Sequence, residues 1–266
     1  MKTIIRNHDN YIKNANLIQD KLCYNTGKGL YIFMYFKEIL LFFIPFLIVS
    51  VLHLYFCIRL KKRPADILKI ALMPSLLLPV YAAWLTDYLP LNNLALLTGA
   101  LVGAWAGDFF LIKPVSKKKF FYGLIAFFLS HIFYLSIFMP SSNAELIPIT
   151  INIGIASAYS LLTAGIYVFI GKPKGLRGLA SILYTIMLFL LQYSCLSPLF
   201  VNFFIEHRPL NFSRMLLVMG VFLFTISDII LAYSLFKREF KRSRFSVMST
   251  YILAQFFLVS GVILCF

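Results

Sequence analysis

The chain has 266 residues, 61% of them hydrophobic and only 13% charged, with a mean hydropathy of +0.85 and a net charge of +15. A soluble domain is about a quarter charged. This composition therefore excludes a soluble globular fold and predicts an all-α, polytopic membrane protein, with room for roughly eight helices at about 20 residues per span.

Residues 1–35 form a polar tail of mixed charge, without the basic start, short apolar core and small-residue cleavage site of a signal peptide. Residues 36–266 form the membrane domain. Apolar runs predict helices over Glu38–Ile58, Asp66–Leu85, Leu96–Ile112, Phe120–Met139, Ile147–Ile170, Leu179–Phe200, Met215–Phe236 and Ser246 to the C-terminus. Each is long enough to cross the hydrocarbon core. In the third, Gly99, Gly103 and Gly107 repeat every four residues along one face, which lets a neighbouring helix approach closely.

Basic residues set the orientation. The loops after the first, third, fifth and seventh helices carry sixteen Lys and Arg; the other three loops carry two. Positive loops stay in the cytoplasm, so both termini are expected on the non-cytoplasmic side of a bacterial inner membrane. The basic residues of the tail, Lys2 to Lys37, argue the other way but are outweighed by the loops. The net charge is thus a membrane signal, and no basic–aromatic module for nucleic acid is present. Cys23, Cys57, Cys195 and Cys265 show no paired spacing, so neither a disulfide framework nor a metal site is expected.

A carboxylate inside a membrane helix is costly unless it faces a polar interior or a cavity. Asp108 and Asp228 are such carboxylates. At 1.5 Å per residue, Asp108 lies roughly 8 Å before Lys113 and Asp228 roughly 13 Å before Lys237. Tyr251 and Gln255 lie about 10 and 16 Å beyond Arg244, and His131 about 18 Å beyond Lys119. These depths let Asp108, Asp228, His131, Tyr251 and Gln255 share one cavity between the cytoplasmic end and the membrane middle. Tyr134 shares a helix face with His131, and Tyr251 shares one with Gln255. Thr225, three residues before Asp228, is placed to hydrogen-bond it. His53 is assigned a packing role. Lys69 is expected to snorkel to the interface, with contact to a lipid phosphate as its functional alternative.

Two carboxylates in a low-dielectric cavity suit acid–base chemistry: one holds a proton as the acid while the other is ionised as the base. A zinc hydrolase has less support, since a catalytic zinc usually takes three protein ligands and only His131 lies near the two Asp residues. There is no serine elbow, Walker loop, HExxH or GxGxxG motif. No metal and no cofactor are therefore expected. The competing class is a transporter or lipid-binding protein in which the Asp pair couples to protons or a cation. Against it, no inverted repeat or broken-helix pattern is visible.

Four segments resemble, in order, the motifs of the YhhN/lysoplasmalogenase family: WAGDFFL (Trp105–Leu111), FFLSHIFYLSIF (Phe127–Phe138), FTISDIILAYSLF (Phe224–Phe236) and TYILAQFFLV (Thr250–Val259). LKIALMPSLLL (Leu68–Leu78) resembles its helix-2 motif, with Ile70 where the family has Pro. The resemblance runs from about Phe36 onward. It implies an eight-helix membrane hydrolase that cleaves the vinyl ether bond of lysoplasmalogens to a fatty aldehyde and a glycerophospho-base. It also implies that Asp108 and Asp228 are catalytic. Tyr251, Gln255, His131 and Tyr134 would then orient water or the glycerol hydroxyl, and Lys69 would hold phosphate. The expected partners are a lysophospholipid and the bilayer, with no nucleic acid.

Overall fold

A computed structural model describes residues 38–112, 116–139, 146–171, 175–207 and 211–265. The polar tail, Cys23, the loop at 140–145 and the loop cations Lys113, Lys172, Lys174 and Arg208 lie outside the described residues. The chain divides into two units, Met1–Leu41 and Phe42–Phe266. Only residues 38–41 of the first are described, and they are helical.

Among the described residues, eight helices are long and apolar enough to cross a membrane, the first of them over Glu38–Ile58, so the chain is an integral membrane protein. Within the second unit the α-helices are α1 (Ile44–Ile58), α2 (Lys62–Leu85), α3 (Leu91–Phe110), α4 (Lys117–Phe138), α5 (Ile149–Phe169), α6 (Leu176–Phe200), α7 (Phe212–Phe236) and α8 (Ser243–Cys265). No strand occurs among the described residues. A π-helical turn, Val201–Ile205, continues α6 beyond Pro198, whose missing N–H disrupts the α-helical ladder there.

Several helices begin about one turn before the apolar run that announces them. For α4 and α7 the reason is capping. Ser116 accepts from the Lys119 N–H at 3.2 Å ahead of α4, and Asn211 accepts from the Ser213 N–H at 3.0 Å ahead of α7. These polar caps satisfy the orphan amides of the first turn. Each of these two helices thus starts before its side chains turn apolar.

Seven helices close a circuit of neighbours in the order α1, α2, α3, α4, α6, α7, α8, with α2 also touching α8. Small residues set the two tightest seams. On α3, a Cβ at Gly103 would lie 3.0 Å from the Ala126 carbonyl oxygen and the Ser130 nitrogen of α4. The Ser130 hydroxyl donates to the Ala100 carbonyl at 2.7 Å in the same seam. Between α7 and α8, Gly220 faces Leu258 and Gly261 faces Leu217, an antiparallel register. In lipid, where apolar surface gives no net drive for helices to associate, close backbone approach of this kind holds them together.

α5 is the exception. It buries no residue, and a Cβ at Gly154 or Gly165 would meet nothing within 4 Å. It flanks α6 and leaves open space against α4, α6 and α7.

Candidate active site

The site is assembled by three seams that meet near the basic end of the bundle. The first joins α2 to α3. Pro74 has no N–H, so the Ile70 carbonyl one turn earlier loses its helical donor. The Trp105 indole N–H of α3 fills that gap, donating to the Ile70 oxygen at 3.1 Å. This bond fixes the neighbour of Ile70, Lys69, opposite the residue one turn after Trp105, which is Asp108. The Lys69 Nζ lies 3.1 Å from Asp108 Oδ1, and both side chains are largely buried, at 12% and 3% exposure. The second seam brings in α8: the Tyr251 hydroxyl donates to Asp108 Oδ2 at 2.8 Å. Asp108 is thus a buried carboxylate with a cation on one oxygen and a phenol on the other.

This revises the reading of Lys69. It does not snorkel to the interface, because an intramembrane carboxylate within 3.1 Å compensates its charge in place. The loop end nearby is tied separately by an Arg244–Asp66 ion pair.

The third seam joins α6 to α7. The Tyr184 hydroxyl donates to Asp228 Oδ2 at 2.9 Å. Asp228 lies in the wall of a largely apolar cavity of about 390 Å³ bounded by α4, α5, α6 and α7. Thr225 does not bond Asp228. Its hydroxyl donates back to the Val221 carbonyl at 3.0 Å, the usual recourse of a helical threonine, and it accepts from Gln192 Nε2 at 2.7 Å.

The expectation of one cavity shared by all the polar groups is corrected. Asp108 and Asp228 have separate partners, and Asp108 does not line the Asp228 cavity. Phe127 of α4 forms the wall between them. It lines the cavity, and its ring meets Tyr251 edge-on at 6.2 Å. A Cβ at Gly107, the residue before Asp108, would fall 2.5 Å from that same ring. The third glycine of the stripe is therefore what lets Phe127 lie against α3.

His131 spans the two halves. Its Nδ1 is 2.5 Å from the Phe127 carbonyl oxygen. That oxygen can only accept, so Nδ1 carries the proton. The ring packs edge-to-face on Phe224 at 4.7 Å and on Tyr184 at 5.3 Å. Phe224 in turn packs on Tyr251 at 5.5 Å. The partner of each carboxylate is thus linked to the other through aromatic contacts. Tyr134 and Gln255 lie one layer deeper: the Tyr134 hydroxyl donates to Gln255 Oε1 at 2.7 Å, and both side chains are buried. They touch neither carboxylate and hold α4 to α8 above the site. His53 is a packing residue, with Nδ1 on the Ala65 carbonyl at 2.9 Å and Nε2 3.4 Å from Cys57 Sγ.

Tyr184, Phe127 and Trp105 are site residues that the sequence reading left out. The depth comparison finds Tyr184 if extended to α6, because it lies seven residues, roughly 10 Å, beyond Arg177. Trp105 is found from the lone carbonyl that any mid-helix proline leaves behind.

Among the described residues, no group of three His, Cys, Asp or Glu side chains comes together as a metal-binding cluster. The model of the YhhN family matches residues 64–262. No curated protein and no solved structure matches the chain.

Proposed function

The chain belongs to the YhhN family, and from this we propose that it is a membrane hydrolase acting on the vinyl ether bond of a lysoplasmalogen, with Asp228 as the residue that meets the substrate. One observation carries the reading. Asp228 lines an apolar cavity of lipid-tail dimensions, and the Tyr184 hydroxyl fixes one of its carboxyl oxygens.

The chemistry follows from the bond. A vinyl ether is protonated at carbon, and Asp228 supplies that proton. The resulting oxocarbenium ion lies beside the carboxylate just formed, which stabilises it. The same carboxylate takes a proton from water as the water adds to the cationic carbon. The hemiacetal then collapses to aldehyde and the glycerol hydroxyl, with no net change in protons on the enzyme. Tyr184 keeps the carboxyl oriented through both transfers. Asp108 acts behind the Phe127 wall as a positioning residue, holding Tyr251 and Lys69 in place. With Lys69 engaged by Asp108, the phosphate falls to loop cations at the basic end. Lys237 is the best placed: its Nζ sits 3.0 Å from the Phe169 carbonyl, beside Ile170 and Phe236 at the end of the cavity. On this reading the basic end faces the cytoplasm of a bacterial inner membrane.

Variants separate the roles. Asp228→Asn should abolish aldehyde release from lysoplasmalogen and leave the protein folded. Tyr184→Phe should lower kcat about tenfold, a loss of about 1.4 kcal/mol of transition-state stabilisation, with KM little changed. Full activity in Asp228→Asn would sink the assignment.

A further inference from the structure

We infer that the substrate's hydrocarbon tail runs from the Asp228 cavity through a waist at Gln192 and Tyr159 into a second apolar cavity, and that this second cavity sets the tail length accepted. The inference rests on the lysolipid reading above. It names the residues that would select among substrates of that class.

The second cavity also measures about 390 Å³ and lies between α5 and α6, toward the end of the bundle away from the basic loops. Ile147, Ile155, Leu196 and Phe203 are among its lining residues. Gln192 and Tyr159 line both cavities, so the two spaces adjoin there. Partners of their own hold both waist residues in place. Gln192 Nε2 donates to Thr225 Oγ1 at 2.7 Å, and the Tyr159 ring packs on Phe189 at 4.4 Å. The α5 and α6 walls are tied by the Tyr193 hydroxyl, which donates to Asn152 Oδ1 at 2.6 Å. Elsewhere α5 is loosely held and buries no residue.

Length decides where a tail would end. Along α6, Gln192 lies eight residues beyond Tyr184 and Ser197 thirteen, or roughly 12 and 20 Å at 1.5 Å per residue. A lipid tail spans one leaflet, about 15 Å, which is half of a hydrocarbon core about 30 Å thick. With its vinyl ether at Asp228, such a tail passes the waist and ends in the second cavity. A tail leaves lipid, not water, when it enters, so each methylene brings less than the fourfold that about 0.8 kcal/mol would give. Selection then comes from fit against far-end lining residues such as Ile155, Leu196 and Phe203, where overpacking is penalised.

The test uses the full chain and saturated ether lysophospholipids of graded tail length, which bind but lack the scissile bond. Ile155 lines the second cavity and not the Asp228 cavity. Ile155→Trp should weaken binding of the longest tails about tenfold or more and leave the shortest within about twofold. Ile155→Ala should move the preferred length upward, and it carries the test alone if the Trp variant does not fold. An equal effect on all lengths, or an unchanged length profile in Ile155→Ala, would overturn the inference. Aldehyde release from a vinyl ether substrate is measured alongside. A length-selective profile without aldehyde refutes the hydrolase reading and leaves the tail site standing. Aldehyde release with no length selection does the reverse.

Discussion

Lys69→Met should be among the most destabilising single changes in the protein, because of where its ammonium sits. The Lys69–Asp108 pair is 3.1 Å long, and the two side chains are 12% and 3% exposed. Removing one partner of a buried pair costs about 3–5 kcal/mol, since the other charge is left uncompensated. The neighbouring Tyr251–Asp108 hydrogen bond is of a smaller class. Interhelical hydrogen bonds in membrane proteins average about 0.6 kcal/mol and reach about 1.7. Lys69→Met should therefore destabilise several times more than Tyr251→Phe. The double variant Lys69→Met/Asp108→Leu should recover much of the loss, because no unpaired charge remains. The assay is reversible unfolding in mixed micelles across the full double-mutant cycle, with a coupling energy of about 2 kcal/mol or more expected between positions 69 and 108. Additivity within about 0.5 kcal/mol, or a Lys69→Met cost no larger than that of Tyr251→Phe, would refute the reasoning. Either result would also reopen Lys69 as a phosphate ligand.

Two further outcomes follow from the seams. Trp105→Phe leaves the Ile70 carbonyl without a donor and should cost about 1 kcal/mol or somewhat more. It should also reduce the coupling between positions 69 and 108, because the same bond sets their register; an unchanged coupling would separate the two. Gly103→Ala pushes a methyl against the α4 backbone and should cost about 1–3 kcal/mol. Gly165→Ala, on the open face of α5, should be neutral or gain up to about 1 kcal/mol. Thermal unfolding of the two variants in one detergent checks the contrast, and equal effects would contradict the packing assigned to α3.

The sequence carried the fold further than the site. Spans, their number and the segregation of charge to alternate loops are one-dimensional properties, and the helices sit where the apolar runs lie. The starts of α4 and α7 were displaced because Ser116 and Asn211 cap a turn before the apolar run. Depth along the membrane is also one-dimensional, and it placed Tyr251 at the level of Asp108, where the two bond. Rotation about each helix axis and neighbour choice are not. Thr225 shares a helix with Asp228 and is spaced to hydrogen-bond it, but the partner is Tyr184, from a different helix, because Thr225 turns back on its own backbone. In the sequence Lys69 stands as a snorkelling cation or a phosphate ligand, since nothing in one dimension shows that Trp105 locks α2 against α3. The separation of the two carboxylates by Phe127 was hidden for the same reason.

The most direct test of the account is product analysis after purified protein is incubated with a lysoplasmalogen. Release of a fatty aldehyde and the matching glycerophospho-base in equal amounts, lost in Asp228→Asn and retained by a variant remote from the cavities such as Val51→Ala on α1, is the expected result. Intact substrate after prolonged incubation with folded wild-type protein, or undiminished release by Asp228→Asn, would contradict it.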